Sequence, residues 1–246
     1  MSGVGELIIS CDVSQDSCET AKTVFAQLHE KNLAATWVVS QPDDSELVAW
    51  VNGYSTRDEI AVAVGQENPN QSFSRRDFAR DLESVAKAAK RGIKISTLVP
   101  PASYTYQHAD LAIKHGISAV RRPVPPDDET TVVPRRGRFG LWTIPSSMCL
   151  SGAPSWFGRF GGIQQLRRAI DRAIVLGGVC HVVVDISAQS GANMSHVQRG
   201  LDRLIEHAQD RGAQDLLRCV TIHEAVSQRI EAERNQPAHS ILREAA

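Results

Sequence analysis

Apolar runs and amphipathic runs alternate along the chain from its first residues. Residues 6–13 (ELIISCDV) are apolar and β-branched, and 19–31 follow with Ala21, Val24, Phe25 and Leu28 spaced for one helical face. The same rhythm predicts strands over 34–39, 59–64, 93–99, 117–120, 141–146, 179–186 and 217–222. It predicts helices over 45–51, 73–91, 104–115, 164–176, 195–211 and 223–235, several of them stopped by Gly92, Gly116, Gly177 and Gly212. Residues 65–70 read as a polar turn, and 122–138 (RPVPPDDETTVVPRRGR) as an irregular excursion or small hairpin.

Strands that are continuous apolar runs suit a parallel sheet covered on both faces. About seven β/α units in 246 residues fit one barrel-like α/β domain, with a doubly wound open sheet as the alternative. Residues 1–236 are expected to form that domain and 237–246 a loose tail.

Composition narrows the partners. The 27 basic and 28 acidic residues leave a formal charge of −1, without the basic excess a nucleic-acid binder carries. No apolar run is long enough for a membrane span. The first residues have neither a charged n-region nor an apolar h-region, so no leader is expected. Five scattered cysteines without a CxxC pair point to free thiols in a reducing, cytoplasmic setting.

In parallel β/α architectures the chemistry gathers at the carboxyl ends of the strands. Asp12, Glu67 and Asp185 stand at three such ends. They read as an acid/base pair or an oxygen-rich cation site, or else as helix caps and solvated carboxylates. His181, mid-strand, reads as a satisfied core histidine, and Cys11 as a buried structural thiol. Trp142, Trp156, Phe157 and Phe160 offer faces for stacking on sugars or for packing. The loop 158–162 is a connection that matches no phosphate-binding fingerprint, and Arg121, Arg122 and 135–138 form a basic patch read as a solvated loop.

Several of these segments carry a resemblance. LIISCDVSQD, a helix, and LAATWVVS resemble the opening strand, helix and second strand of the polysaccharide deacetylases of the NodB-homology type. DEIAVAVGQENPN is similar to that family's two-histidine segment. FARDLESVAKAAKRGIKISTLVPPASY is similar to its helix, strand and RPPYG-type turn. VCHVVVDISAQSG and CVTIHEAV resemble its closing strand and ending, nearest to a subgroup with an HLWFHP-type strand.

The resemblance implies a distorted (β/α) barrel and hydrolysis of acetyl groups on sugars, a carbon–nitrogen (non-peptide) or ester bond, by a divalent metal such as zinc. It places Asp12 at the base position, Val13 at the metal-aspartate position, and Ala63 and Glu67 at the two histidines. It places Val99 at the base-positioning arginine and Asp185 at the late histidine, with His181 matching the earlier histidine of the HLWFHP pattern. Zinc needs about three protein ligands with lone pairs, which Val13 and Ala63 lack.

The expectation is therefore a deacetylase-like protein without metal cofactor or metal-dependent turnover, with Asp12 and Asp185 as catalytic candidates. Glu67, Tyr104 and Trp142 are the substrate-binding candidates. Its expected ligand is a glycan or sugar nucleotide, and its expected partner a protein of polysaccharide biosynthesis. A hydrolase using the acidic residues, and a non-catalytic interaction protein, are the alternatives.

Overall fold

The computed structural model describes residues 4–42, 46–65, 74–101, 108–122, 133–150, 161–186 and 191–235. Its strands are β1 (Gly5–Asp12), β2 (Thr36–Val39), β3 (Glu59–Ala63), β4 (Ile95–Val99), β5 (Ala119–Arg122), β6 (Arg135–Arg136), β7 (Trp142–Pro145), β8 (Met148–Leu150), β9 (Val179–Asp185) and β10 (Leu217–Val220). Its helices are α1 (Cys18–Glu30), α2 (Glu46–Tyr54), α3 (Arg75–Lys90), α4 (Ala109–Lys114), α5 (Gly161–Leu176), α6 (Gly191–Gly212) and α7 (Ile222–Asn235).

One sheet holds all the strands in the order β6-β7-β5-β4-β3-β2-β1-β9-β8, with β10 beside the lower half of β1. Every pairing is parallel except β6 with β7. β7, next to the terminal β6, and β8, at the other end of that order, are separated only by Ser146 and Ser147. Those two serines touch both ends: Ser146 N–H donates to the Arg122 carbonyl at 2.8 Å and Ser147 N–H to the His181 carbonyl at 2.7 Å. The sheet thus curls into a distorted barrel closed by one kinked segment, and not into the open doubly wound sheet.

Period-two alternation sorts the strands into two faces. Leu7, Ile9 and Cys11 of β1 face outward and pack with Ala21, Val24 and Phe25 of α1 in the main core. Ile8 faces inward, with Ala119, Trp142, Ile144, Val179 and Val220. α7 covers the amino ends of the strands, packing Ile222, Ala225 and Val226 onto that inner cluster. No described helix is long and apolar enough to cross a membrane.

α7 is held by a buried charge. Glu59 is 7% exposed, at the amino end of β3. Its Oε2 accepts from Thr36 Oγ1 at 3.0 Å and from the His223 N–H at 2.9 Å. Its Oε1 accepts from Ser96 Oγ at 3.1 Å and Thr97 Oγ1 at 2.5 Å. Thr36 Oγ1 also accepts from the Ile222 N–H at 3.1 Å. Two orphan N–H groups at the start of α7 are satisfied in this way.

Packing is tight where β1 meets α5. A Cβ on Gly5 would sit 2.8 Å from the Ile174 Cα and 2.9 Å from its backbone N. Backbone cannot swing aside as a side chain can. Gly5→Ala is therefore expected to lose about 1–3 kcal/mol of stability, read as a lowered melting temperature.

Candidate functional site at the barrel mouth

Asp12 ends β1 and its side chain remains 27% exposed, inside the barrel near the carboxyl ends of the strands. Arg121 of β5, only 8% exposed, reaches it across the barrel. Arg121 Nη1 donates to Asp12 Oδ1 at 2.6 Å and Nη2 donates to Oδ2 at 2.7 Å. This is the bidentate guanidinium–carboxylate geometry.

The guanidinium is itself held from below. Its Nη1 also donates to Ser10 Oγ at 3.0 Å, and Ser10 Oγ lies 2.9 Å from His181 Nε2. His181 Nδ1 lies 3.2 Å from the Pro145 carbonyl. A carbonyl only accepts, so Nδ1 carries the proton and Nε2 is the acceptor. The polarity of the whole chain follows. Ser10 O–H donates to His181, which leaves the Ser10 oxygen lone pair for Arg121, and Arg121 donates to Asp12.

His181 is fully buried, and burial, with Arg121 adding to it, pushes its pKa down to about 3. The unfolded value is about 6.5. Between those values the unfolded chain takes up a proton that the folded chain refuses. Stability is thus fully present above about pH 6.5 and falls as pH drops toward about 3. The stability-versus-pH slope in this window is expected to be shallower in His181→Gln, by up to about 1.4 kcal/mol per pH unit. Urea denaturation at stepped pH measures it, and equal slopes would contradict the assignment.

Asp185 ends β9 in register with Asp12, so the two face the same way on adjacent strands, about 4.8 Å apart along the hydrogen-bonding direction. The Ile186 N–H donates to the Asp12 carbonyl at 2.9 Å, which fixes this pairing. Cys149 of β8 aligns with Val183 beside them. Loss of solvation, then the charges of Asp185 and Asp12, push its thiol up to about 11, with Arg121 opposing. Cys149 is thereby a neutral thiol at neutral pH and a weak nucleophile. Cys11 faces the outer core and is fully buried, as the sequence suggested.

The wall formed by β2, β3 and β4, which runs from Asp12 on β1 to Arg121 on β5, is apolar. Val38, Ala61 and Val99 cluster there, with Ala63 packed against them. The mouth thus has one charged side and one hydrocarbon side.

Of the residues singled out in the sequence, Asp12 and Asp185 come together. Trp142 does not join them. It lies at the amino end of β7 in register with Ala119, packed among Ile8, Ile144 and Val179, because the strand begins there. Its stacking role at the mouth is corrected accordingly. Its buried indole Nε1 has no hydrogen-bond partner among the described residues. Glu67, Tyr104, Trp156, Phe157 and Phe160 lie outside the described residues.

Two readings of the sequence change. Arg121 is a buried strand residue and not part of a solvated loop. Val99, which the resemblance set at the arginine position, lies in the apolar cluster of Val38 and Ala61, and the arginine that pairs with Asp12 is Arg121 on the next strand. His181 is a core histidine, as read, but it also orients the arginine. The available signal was alternation: Ala119 faces inward, so Arg121 must do so too.

A divalent metal does not fit the donors in view. Both Asp12 oxygens accept from Arg121, Val13 and Ala63 offer only carbon, and no three His, Cys, Asp or Glu side chains among the described residues are grouped to hold an ion.

No protein-family model matches the chain, and no curated protein matches it in sequence. In three dimensions it is similar to a protein of Mycobacterium smegmatis assigned to the polysaccharide deacetylases. The two are 13% identical over 96% of this chain and 93% of that one, with a TM-score of 0.63. A mutant of a family 4 carbohydrate-esterase pseudoenzyme with restored enzymatic activity matches at 11% identity over 92% and 69%, with a TM-score of 0.57. The family 4 acetyl xylan esterase of Clostridium thermocellum, solved with a cobalt ion, matches at 16% identity over 91% of each chain, with a TM-score of 0.55. The chain has the fold of these carbohydrate esterases.

Proposed function

Starting from the fold shared with the polysaccharide deacetylases, we propose that this chain binds an acetylated glycan or sugar nucleotide at its barrel mouth without metal-dependent hydrolysis. The observation that carries the reading is the Asp12–Arg121 clamp beside Val13 and Ala63. A carboxylate so clamped keeps further lone pairs for ligand hydroxyl and amide N–H groups. The Val38, Ala61, Ala63 and Val99 wall offers a dry surface to a sugar's C–H face. Without a metal, nothing on this wall lowers the pKa of an attacking water.

Residues 1–236 act as one domain in this reading, with a protein of polysaccharide production as partner. A cytoplasmic setting rests on the five free cysteines. Calorimetric titration with acetylated oligosaccharides tests the ligand. Binding that Asp12→Asn abolishes supports the proposal, and no binding by any member of the panel sinks it.

A second reading is favoured by the shared register of Asp12 and Asp185. Two carboxylates on adjacent strands could divide base and acid roles in a metal-free hydrolysis. Turnover that persists in chelator and disappears in both Asp12→Asn and Asp185→Asn would select it.

A further inference from the structure

An aromatic row on the outside of the barrel takes no part in the mouth. Phe25 of α1 and Trp50 of α2 meet edge to face, with 4.4 Å between ring centroids. One turn further along each helix, His29 stacks on Phe25 at 5.5 Å and 9°, and Tyr54 leans on Trp50 at 5.3 Å and 53°. Phe25 is buried and Trp50 half-buried, whereas His29 is exposed and Tyr54 is 65% exposed. Both helices run back from the mouth, so the row lies toward the amino ends of the strands, away from Asp12. The turns that follow the two helices are among the described residues.

Gly53 points to an occupant. It sits inside α2 between Asn52 and Tyr54, and its φ is not in the left-handed region. A Cβ there would meet nothing within 4 Å. Glycine weakens a helix interior relative to alanine, so neither backbone nor packing asks for it here. A bare α-carbon beside Tyr54 leaves room for a molecule lying flat on the aromatic row. The surroundings specify its chemistry. Lys31 pairs with Glu30 at 3.0 Å, and Arg57 donates to the Asn32 carbonyl at 3.2 Å. Asp58 Oδ1 accepts from the Ala35 N–H at 2.8 Å and from Trp37 Nε1 at 3.2 Å. The charges flanking the row are thus engaged within the protein. Beside the rings stand the exposed Asn52 amide and the His29 ring, which between them donate and accept hydrogen bonds.

We propose that His29, Trp50, Gly53 and Tyr54 form a surface site for a neutral oligosaccharide, separate from the barrel mouth and independent of what the mouth binds. A sugar presents a C–H face to the rings and hydroxyls to Asn52 and His29. Its hydroxyls both donate and accept, as the rim does. A proline-rich segment also lies on aromatic rings, but its prolines carry no N–H and leave the acceptors of the rim without a partner. An ionic ligand finds no uncommitted countercharge among the residues that flank the row.

The test is an NMR titration of the full chain with cellohexaose and with chitohexaose. The amides of Asn52, Gly53 and Tyr54 are expected to shift saturably with at least one of the two, and to do so equally in Asp12→Asn. The amides of Asp12 and Asp185 report the mouth separately, so the two sites are read apart. Tyr54→Ala should weaken binding at the row about fivefold. Gly53→Ala should weaken it too, because the new methyl lifts the sugar from the rings, while raising the melting temperature by about 1–4 °C. A merely structural Gly53 would give no loss of binding. Absence of shifts at 52–54 with both hexasaccharides, or an unchanged affinity in either variant, would overturn the proposal. So would stronger shifts with decaproline than with either sugar, which would assign the row to a proline-rich peptide.

Discussion

Replacing Arg121 with alanine is expected to abolish ligand binding at the barrel mouth and to destabilise the fold by about 3 kcal/mol. For a domain of this size that is on the order of 6–12 °C in melting temperature. The alanine leaves the Asp12 carboxylate half-buried without its two donors and removes the donor to Ser10. The large cost comes from stranding one charge, not from the net worth of the pair. The double variant Asp12→Leu with Arg121→Met should therefore recover much of the stability and none of the binding. Thermal melts and calorimetry on the three proteins separate the effects. A melting temperature in Arg121→Ala equal to that of the parent would show that the clamp is not formed.

The second large effect lies at the other end of the barrel. Glu59→Ala should cost about 3–5 kcal/mol, because one buried carboxylate accepts from three hydroxyls and from the His223 N–H. The hydroxyls can turn to other acceptors, but the backbone N–H at the start of α7 cannot. Glu59→Gln should lose less, since one oxygen still accepts. Hydrogen exchange gives the local readout. Amides of α7 should lose protection in Glu59→Ala before those of β1 and β9 do. Uniform loss across the domain would mean that Glu59 does not anchor α7 specifically.

The two networks also mark where sequence reasoning stops. The strands were legible because parallel strands buried on both faces are continuous apolar runs, as in VCHVVVD. Strand ends then place Asp12 and Asp185 at the mouth without coordinates. Arg121 was hidden because hydropathy ends the strand at Val120, whereas β5 runs on to Arg122. What makes that arginine tolerable inside a barrel is a carboxylate 109 positions away, and no local pattern records it. Glu59 looks like the polar first residue of a strand, and its donors come from Thr36, Ser96, Thr97 and His223, on three other segments. β8 was missed because three residues after two serines carry too little periodicity. Trp142 was misplaced for a different reason. Sequence gives the strand but not its direction relative to the mouth until the register with Ala119 is known.

The central claim is that this deacetylase fold binds its ligand without metal hydrolysis, and one assay addresses it most directly. Acetate release from a panel of acetylated saccharides is measured with zinc, cobalt, magnesium or chelator, alongside calorimetric binding of the same saccharides. The account predicts binding that is insensitive to metal and chelator, with no acetate above the buffer blank. Metal-dependent acetate release that disappears in Asp12→Asn would contradict it.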